Sequence, residues 1–406
     1  MKRVTFIHAA DLHLDSPMVG LKHLPPTIFQ RIQESTFTAF TKIVDDALRL
    51  NVDFVILAGD LFDGEDRSVR AQSRFRKQMD RLAASQIQVF IVHGNHDHLD
   101  GKWAHLELPE NVHVFSEKVE VKKYVNSEQV GVHLYGFSYP QRHIFERKID
   151  DYIKTGEADF HIGILHGHNE GNSDHGRYAP FSINDLLDKQ FDYWALGHIH
   201  TRAILAEEPP IVYPGNIQGR NRKELGMKGC YHVTLSSVGC QLEFLRSSDV
   251  FWNELEIDAS NANNFSDIYS LCRNQIEEVR TEKEGQLIDI TIRNIPSDGL
   301  LQEGLENGEL LDVLQEEEKE ETSFVWPYSL TYDEKNQWNR EQLEGEADFY
   351  HELFSAIDNY HSMDDCLSQL YQHPTARRFL QRLSEDDQNK LVQDAENILV
   401  KLLYKT

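Results

Sequence analysis

The sequence predicts an α/β fold, followed by a small α+β module and a helical end. Five short apolar runs, rich in β-branched and aromatic residues, are typical of strands that are buried on both faces. Apolar residues at helical spacing separate several of these runs, which indicates alternating strands and helices. Of the 406 residues, 40% are hydrophobic and 27% are charged, a composition typical of a globular protein with two or three domains.

The strands predicted in the first half of the chain are residues 4–10, 53–59, 88–94, 160–166 and 193–197. Helical spacing within 28–48 and 75–82 predicts one helix after the first strand and another after the second. Residues 231–235 and 241–245 flank a Ser-Ser-Val-Gly segment and predict a hairpin.

The pattern changes after about residue 250. The elements predicted there are strand 252–257, helix 265–280, strand 287–292, helix 300–314 and strand 322–330. From about residue 346 the pattern is helical. We therefore expect three domains, which are residues 1–248, 249–333 and 334–406.

Charge and histidine are distributed unevenly along the chain. The formal net charge is −26, of which residues 1–250 contribute −5 (28 Lys+Arg against 33 Asp+Glu) and the rest −21 (13 against 34). Seventeen of the 20 histidines precede residue 250. This distribution favours an amino-terminal catalytic or metal-binding domain with appended modules. The acidic total does not exclude a nucleic-acid substrate, because a pair of divalent metals can dominate the local field.

No apolar run approaches the ~18 residues that cross a bilayer, so we expect no membrane association. The four cysteines include no CxxC pair, and we expect free thiols in a reducing cytoplasm. The alternative is that Cys230 and Cys240 face each other across the predicted hairpin.

A polar cluster accompanies the end of each of the five predicted strands. The clusters are Asp11-Leu-His13, Gly59-Asp60-Leu-Phe-Asp63, Gly94-Asn95-His96-Asp97, His166-Gly-His168 and His198-Ile-His200. Because open α/β sheets place ligands at the carboxyl ends of their strands, we expect the clusters to converge on one patch. Each cluster alone is weak evidence, but an ordered set of five is specific.

The residue types in these clusters suit a pair of divalent metals. Imidazole nitrogens with carboxylate and amide oxygens favour Mn, Fe or Zn, and the lack of thiolates argues against a structural zinc site. A carboxylate such as Asp60 can bridge two cations, because it offers two oxygens and a negative charge.

The order D-x-H, G-D-x-x-D, G-N-H-[DE], H and G-H-x-H resembles the calcineurin-like metallophosphoesterase superfamily. The finer resemblance is to the bacterial SbcD-type DNA repair exonucleases, of the YhaO type. It rests on His8-Ala-Ala-Asp-Leu-His, Ala58-Gly-Asp-Leu-Phe-Asp, and Gly197-His-Ile-His followed by Tyr213-Pro-Gly-Asn. The GDxVDRG and RGNHE motifs of the Ser/Thr phosphatase branch are absent. The motifs cover the first 200 residues closely, and beyond residue 250 the resemblance is one of architecture.

The resemblance implies a metallophosphoesterase β-sandwich flanked by helices, then a small α+β capping domain and a C-terminal helical region. It implies two divalent ions, most simply Mn²⁺, and nucleophilic attack by a water that bridges them. One ion would be held by Asp11, His13, Asp60 and His200, and the other by Asp60, Asn95, His166 and His198.

Three further residues have expected roles at this centre. His96 would not be a ligand but would stabilise the transition state or protonate the leaving oxygen beside the scissile phosphate. Asp63 and Asp97 would orient the ligands, although Asp63 could equally be a loop residue that contacts backbone amides.

Two basic segments are candidates for contact with the DNA backbone. Arg220, Arg222 and Lys223 lie in a loop after the last motif, and His168 is a weaker candidate for substrate contact. The other segment places Arg67, Arg70, Arg74, Lys77 and Arg81 on one helical face. That face could equally be solvated or, by the resemblance, form a homodimer contact. Since the sequence contains no base-reading motif, we expect no sequence specificity.

The function expected from these features is Mn-dependent exonuclease action on duplex DNA ends in double-strand break repair, with endonuclease action as a further option. The alternatives are a small-nucleotide phosphodiesterase and a non-catalytic scaffold for an SMC-like ATPase. The resemblance also implies that such an ATPase binds the C-terminal region. Packing within the domain is the simpler explanation for the apolar seam there, which consists of Leu391, Ala395, Ile398, Leu399 and Leu402.

Overall fold

The structure is a computed structural model that describes most of the chain. The described residues are 2–63, 68–101, 106–170, 178–295, 305, 307–319, 321–334, 340–360, 363–373, 383 and 385–404. The chain forms two compact units, Met1–Asp333 and Glu334–Thr406. The predicted division into three domains stays a prediction.

The first unit contains all the described strands. In chain order they are β1 (Arg3–Ala9), β2 (Phe54–Ala58), β3 (Gln88–Val92), β4 (Val112–Val114), β5 (Glu120–Val125), β6 (Gly131–Gly136), β7 (Phe160–His166), β8 (Tyr193–Gly197), β9 (Ala203–Glu207), β10 (Pro210–Tyr213), β11 (Gly229–Ser236), β12 (Gly239–Arg246), β13 (Val250–Asp258), β14 (Gly285–Ile295) and β15 (Val325–Glu334). Its helices are α1 (Pro26–Leu50), α2 (Val69–Ala84), α3 (Ile183–Asp188), α4 (Phe265–Val279) and α5 (Glu309–Glu318), with a 3₁₀ turn at Lys148–Asp151.

Two six-stranded sheets form a sandwich. The first has the order β12-β11-β1-β2-β3-β4, and the second has the order β5-β6-β7-β8-β10-β9. In the first sheet β1 to β4 are parallel, and β11 and β12 add an antiparallel edge. In the second sheet β6, β7, β8 and β10 are parallel, and each outermost strand is antiparallel to its neighbour.

Apolar side chains of both sheets fill the space between them. Phe54 and Ile56 from the first sheet lie in one buried cluster with Ile162 and Ile164 from the second. Residues of α1 and α2 cover the outer face of the first sheet in a second cluster. Leu186 of α3 belongs to a third cluster, together with strand residues of the second sheet. This layering of helix, sheet, sheet and helix confirms the predicted mixed α/β fold with sheets flanked by helices.

The five predicted strands and the hairpin are present as β1, β2, β3, β7, β8, β11 and β12. The five strands lie in two sheets, with three in the first and two in the second. The expected ligand position at the carboxyl ends of the strands therefore lies where the two sheets of the sandwich meet, and not at the edge of one open sheet.

A three-stranded sheet follows, with the order β13-β14-β15. The strands β13 and β14 are parallel, and α4 connects them. These elements agree with the predicted strand, helix, strand, helix and strand, although residues 300–304 and 306 of the predicted second helix lie outside the described residues.

This smaller sheet packs on the sandwich through an apolar cluster and a partly buried ion pair. Ile28 and Ile32 of α1 lie in a cluster with Trp252 and Trp326. The Arg31 Nε and Asp249 Oδ2 atoms are 3.0 Å apart, and Arg31 also donates to the Lys283 carbonyl oxygen at 2.5 Å. The first half of α1 is therefore fixed to the residue before β13 and to the loop before β14.

The second unit is helical in its described residues, with α6 (Arg340–Glu346), α7 (Asp348–Asp358), α8 (Met363–Gln372) and α9 (Glu385–Tyr404). Its small core contains Leu343, Phe354 and Val400. All five residues of the predicted apolar seam are exposed on α9, so the expectation that they pack within their own domain is wrong for the described residues. Of the helices in the described residues, none combines the length and the apolar character that crossing a membrane requires.

The four cysteines are free thiols, as expected. In the β11–β12 hairpin Cys230 pairs with Leu245 and Cys240 pairs with Leu235. Cys230 and Cys240 therefore do not face each other across the hairpin.

We expect the Trp252→Ala substitution to lower the free energy of unfolding by about 3–5 kcal/mol, the usual range for deleting a buried aromatic side chain. The Trp252 side chain is 4% exposed between α1 and the smaller sheet. Urea unfolding would measure the change. Val238→Ala is the control, because Val238 is 76% exposed and should change stability by no more than about 0.5 kcal/mol. Equal stability of the two variants would contradict the proposed packing role.

Candidate metal centre

The polar clusters of both sheets meet at one end of the sandwich. Asp11, Asp60 and Asn95 follow β1, β2 and β3, His166 ends β7, and His198 follows β8. The Nε2 atom of His166 lies 3.4 Å from Oδ2 of Asp60, so the two sheets are in contact at their carboxyl ends. The predicted convergence of the five clusters is therefore observed.

Unusual backbone conformations aim these side chains inward. Asp11, His13, Asp60 and His198 have φ values of 52°, 41°, 50° and 101°, in a region that residues with a side chain rarely adopt. Backbone hydrogen bonds hold two of them, from Asp11 N to Gly59 O and from His13 N to Asp60 O, both 3.0 Å long. Such strain typically accumulates where a functional site must be held in one geometry.

Glycine is required at two of the loops, because His166 lies against their backbone. A Cβ atom at Gly59, where φ is 92°, would lie 2.2 Å from the Nδ1 atom of His166. A Cβ atom at Gly94 would lie 2.3 Å from Oδ1 of Asp60 and 2.7 Å from Nε2 of His166. The glycines of the second and third motifs therefore make room for the ligand side chains.

One group of candidate ligand atoms surrounds His13 and His200. Their Nε2 atoms are 3.2 Å apart. His200 Nδ1 donates to Oε1 of Glu224 at 2.8 Å, because a carboxylate can only accept, and its other ring nitrogen, Nε2, therefore faces His13. His13 lies buried with its pKa lowered to about 4, mainly by burial, so the His13 ring is neutral. Asp11 completes a set of three groups able to hold a metal ion.

The second group surrounds His166. Its Nδ1 donates to the Ala58 carbonyl oxygen at 3.0 Å, which leaves the lone pair of the neutral ring on Nε2. That Nε2 atom faces Oδ1 of Asn95 at 3.1 Å and Oδ2 of Asp60 at 3.4 Å. His198 Nδ1 lies 3.2 Å from the same Asn95 oxygen. Four side chains from four separate segments of the chain thus point at one position.

The distances within both groups fit divalent cations. Two ligand atoms at about 2.1 Å from one ion, separated by angles of about 90–110°, lie about 3.0–3.4 Å apart. The four distances, between His13 and His200, His166 and Asn95, His166 and Asp60, and His198 and Asn95, fall within 3.1–3.4 Å. Asp60 is close to both groups, since its Oδ2 also lies 3.9 Å from His13 Nε2. The donor set of nitrogen and carboxylate or amide oxygen suits Mn, Fe or Zn.

The pKa values of the buried carboxylates and of His166 favour a positive charge at the centre. Burial raises the pKa of Asp11. Burial alone would raise the pKa of Asp60, but the neighbouring His166 outweighs it and holds this pKa well below the usual value. Burial would lower the pKa of His166, but Asp60 and Asp11 raise it to about 9. The buried carboxylates therefore demand a cation, either a proton on His166 or a metal ion in its place.

His96 and Asp63 form a pair at the edge of the centre. The Nδ1 atom of His96 lies 3.3 Å from Oδ1 of Asp63, and this contact is the main reason that the pKa of His96 is raised. Asp63 also accepts from Ser16 Oγ at 2.8 Å and Arg220 Nη1 at 3.2 Å. Burial would raise the pKa of Asp63, but its histidine partners outweigh burial and hold the pKa well below its usual range. Asp63 therefore stays ionised and contacts side chains, with His96 among them.

Asp97 fixes the second and third loops to each other. Its carboxylate accepts from the backbone N–H groups of Leu61 at 2.9 Å and Gly94 at 2.7 Å, and from His93 Nδ1 at 2.8 Å. The side chain is fully buried. Its contribution is to hold the loops that carry Asp60 and Asn95.

Glu224 belongs to the centre but was not predicted from the sequence. It accepts from His200 Nδ1, from Asn216 Nδ2 at 2.7 Å and from the Arg220 backbone N–H at 2.8 Å. Burial would raise its pKa, but the His200 hydrogen bond and the charge of Arg220 hold it well below the usual range. The one sequence feature that could have indicated a role for Glu224 is its position shortly after the Tyr213-Pro-Gly-Asn segment.

The loop that carries Glu224 is also attached to the smaller sheet. Gln218 Nε2 donates to the Val250 carbonyl oxygen at 2.6 Å, and Gln218 Oε1 accepts from Asp249 N at 2.8 Å. The Gly226 backbone N–H donates to the Trp252 carbonyl oxygen at 2.9 Å. The position of His200 therefore depends, through Glu224, on the first strand of that sheet.

The predicted substrate-contact residues lie in different environments. Arg220 is mostly buried, between Asp63 and Glu224. Arg222 and Lys223 are exposed in the same loop. His168 is buried, with its ring 6.3 Å from that of His198, so contact with a substrate would require it to become exposed.

The basic face of α2 is largely used within the protein. Arg70 and Arg74 both pair with Glu34 of α1, and Arg81 pairs with Asp45 at 2.6 Å. Arg67 lies outside the described residues. These ion pairs favour packing of α2 on α1 over contact with a nucleic-acid backbone.

The chain is similar to proteins of known families. A family model described as calcineurin-like phosphoesterase matches residues 4–202. The "Uncharacterized metallophosphoesterase YhaO" of Bacillus subtilis is 40% identical over 403 residues, which cover 98% of this chain and 98% of that protein. The "DNA double-strand break repair protein Mre11" of Thermoplasma acidophilum is 28% identical over 271 residues, or 62% of this chain and 69% of that protein. A protein of the same name from Sulfurisphaera tokodaii is 23% identical over 321 residues, or 75% and 77%.

We expect Glu224→Gln to weaken Mn²⁺ binding by about 10- to 100-fold, the usual loss when the hydrogen-bond partner of a ligating histidine is changed. The amide would no longer supply the charge that orients His200 Nδ1. Isothermal titration calorimetry would measure the affinity. Glu243→Gln is the matched control, because Glu243 is an exposed carboxylate on β12 that pairs with His232. If both variants bind Mn²⁺ as the wild type does, Glu224 does not position His200.

Proposed function

Because the chain belongs to the calcineurin-like phosphoesterase family, whose members are hydrolases acting on phosphoester bonds, we propose that it is a two-metal DNA nuclease. The proposed reaction is Mn-dependent exonucleolytic hydrolysis at duplex ends during double-strand break repair, with endonucleolytic cleavage as a further activity. The observation that carries the proposal is the convergence of seven candidate ligand side chains, with His96 beside them.

The proposed assignment gives each metal four ligands. Asp11, His13, Asp60 and His200 would hold one ion, and Asp60, Asn95, His166 and His198 would hold the other. Two divalent ions, when bound, lower the pKa of water and neutralise charge on a phosphoryl group. The chain contributes the fixed geometry, because hydrogen bonds to Ala58 and Glu224 hold the Nε2 lone pairs of His166 and His200 inward.

His96 is the proposed catalytic group of the chain itself. Its raised pKa keeps the imidazole protonated to a higher pH than usual, and Asp63 stabilises that charge. The ring is part exposed, so a substrate can reach it. In this position His96 would donate a hydrogen bond to the phosphoryl group or a proton to the leaving oxygen.

Three observations favour DNA over a small nucleotide as the substrate. Two relatives that carry the name "DNA double-strand break repair protein" match 62% and 75% of this chain, beyond the family match at residues 4–202. The exposed Arg222 and Lys223 follow the last motif and can neutralise phosphates without reading sequence. The smaller sheet, attached beside the centre, is an addition that a small-nucleotide enzyme would not need.

A non-catalytic scaffold would usually lack some of the metal ligands, and here every candidate ligand position is filled.

We also propose a protein partner, an SMC-like ATPase bound through the C-terminal region. The support is the exposed seam of α9, where Ile398 and Leu402 are 59% and 67% exposed. Apolar side chains at i and i+4 on one helix face are a common recognition surface for another helix. The free cysteines agree with a reducing cytoplasm as the site of action.

The further proposal of a homodimer rests on the surface next to α2. Val69, Leu99 and Leu108 are exposed apolar residues there, and the last two line a cavity of about 240 Å³ together with Phe75 of α2. Burying these side chains against a second copy would remove apolar surface from water.

We expect Asp60→Ala to abolish metal-dependent hydrolysis, because Asp60 is the carboxylate close to both ligand groups. We expect His96→Gln to lower kcat by about 10²- to 10⁴-fold while Mn²⁺ affinity is retained. The assay uses end-labelled linear duplex and single-stranded DNA with Mn²⁺, Mg²⁺ or EDTA, and a small chromogenic phosphodiester in parallel. The exposed His23, changed to Gln, is the matched control.

Cleavage of the small diester alone, with DNA intact, would favour the small-nucleotide alternative. Metal binding without hydrolysis of any substrate would favour the scaffold. Full activity of the Asp60→Ala variant would contradict the site assignment.

We expect Ile398→Asp combined with Leu402→Asp to abolish co-purification of a coiled-coil ATPase with the tagged full-length protein from its native cells. Placing charge on the seam would make its burial in an interface costly. Val313→Asp on α5, a part exposed position outside α9, should leave co-purification unchanged. Equal recovery of the ATPase with all three proteins would rule out the seam as its binding site.

A further inference from the structure

A row of aromatic rings runs from the candidate metal centre to the protein surface. The Tyr178 ring centroid lies 5.2 Å from that of His198. The His143 ring stacks on Tyr178 at 5.4 Å with an interplanar angle of 22°, and on Phe145 at 6.1 Å with an angle of 5°. Phe145, at the outer end, is 68% exposed, and His143 is exposed as well. These four residues are called the aromatic row below.

The backbone under the aromatic row is fixed. The Ala179 backbone N–H donates to the Ile144 carbonyl oxygen at 2.7 Å, and the His168 N–H donates to the Tyr178 carbonyl oxygen at 3.0 Å. Ile144 is buried between the two exposed rings of its segment. The rings are therefore carried by two segments that are held to each other and to the loop after β7.

The outer rings do not complete the core of the protein. The buried cluster of this region contains Ile144 and Ala179 and has Tyr178 against it, but neither His143 nor Phe145 belongs to it. The near-parallel rings of His143 and Phe145 leave apolar surface exposed to water. This surface continues through Tyr178 to His198. Exposed single apolar residues need no explanation, but a row of neighbouring rings that ends at a candidate catalytic centre does. Two of its contacts are stacked, and the innermost, between Tyr178 and His198, is tilted by 57°.

The charges around the row are mixed and mostly paired. Arg147 is held by Glu170 at 2.8 Å and Asp185 at 2.5 Å. Arg142 and Glu146 are exposed within the same segment. This surface is therefore not suited to bind a strongly anionic ligand by charge alone. Its distinctive feature is the exposed surface of the aromatic rings.

We propose that the three outer rings of the aromatic row, those of Phe145, His143 and Tyr178, are a stacking platform for the bases of a single DNA strand whose phosphate enters the metal centre. This inference rests on the proposed nuclease function and adds how the strand is held. Every base has a π-face, so stacking on aromatic rings binds single strands without reading their sequence. That property agrees with a site that lacks a base-reading motif.

The platform also implies a substrate conformation. A paired duplex hides the faces of its bases within its own stack, so only a frayed end, an overhang or a hairpin loop offers them. The row would therefore favour strands that are already unpaired near the scissile phosphate.

The test measures binding of fluorescein-labelled oligothymidylate by anisotropy in EDTA, where no cleavage occurs. We expect the His143→Ala and Phe145→Ala double variant to bind about five- to 100-fold more weakly than the wild type, the range of base–aromatic stacking. The same strand made of abasic units should bind the wild type and the double variant equally. Phe349→Ala, which removes a 54% exposed ring from α7, is the control and should bind as the wild type does.

A second measurement guards against a folding defect. Phe145→Trp keeps a ring and should retain affinity, and its fluorescence should be quenched by the base-bearing strand but not by the abasic strand. Equal binding of the base-bearing strand by the wild type and the double variant would overturn the platform while leaving the nuclease proposal intact. Equal losses for both strands would also overturn it, since the rings would then have only a structural role. If the wild type neither binds nor cleaves DNA, the proposed function fails and the platform fails with it.

Discussion

The ligand atoms that face one another where the two sheets meet are the constraint on which the rest of the structure depends. His13 and His200 turn Nε2 atoms toward each other at 3.2 Å, and His166 turns its Nε2 toward oxygens of Asp60 and Asn95. Buried lone pairs in this arrangement repel unless a cation lies between them. The strained φ values of Asp11, His13, Asp60 and His198 are tolerated because surrounding hydrogen bonds hold these residues in place. Stability at this end of the sandwich is therefore linked to the binding of a cation, either a proton on His166 or a metal ion.

Residues outside the ligand group give the centre its rigidity. Asp97 joins the loops that carry Asp60 and Asn95, through Leu61 and Gly94. Glu224 orients His200, and its own loop is attached to β13 through Gln218 and Gly226. A change in the position of the smaller sheet would thus reach one candidate ligand, His200, through this loop and Glu224. This connection gives the appended sheet a physical means of influencing the chemistry.

The two ends of the chain differ in how completely they bury their apolar surface. In the sandwich unit α1 and α2 lie on a large buried cluster, and arginines on α2 are paired with acids on α1. In the second unit the described core is small, and α9 contributes Val400 to it while its seam stays exposed. The first unit therefore contains the elements needed for chemistry, whereas the second presents a surface suited to a partner.

The sequence by itself determined the strands, the hairpin and the residues that meet at the centre. Buried strands and their terminal polar clusters are local patterns of period and composition, so the clusters at Asp11, Asp60, Asn95, His166 and His198 were identifiable from one chain. Only the tertiary structure decided that these strands divide between two sheets and meet across the sandwich, because strand order depends on contacts far apart in sequence.

The same reason explains the residues that sequence reasoning missed or misjudged. Glu224 was not identified because its partner His200 lies 24 residues away and no spacing rule connects them. The sequence of α2 did not show that Glu34 and Asp45 of α1 form ion pairs with the arginines on its basic face. The seam of α9 was expected to be buried, and its exposure depends on which face of the helix packs on Leu343 and Phe354. Pairing and burial are properties of the folded chain, since both require a neighbour that only the fold brings near.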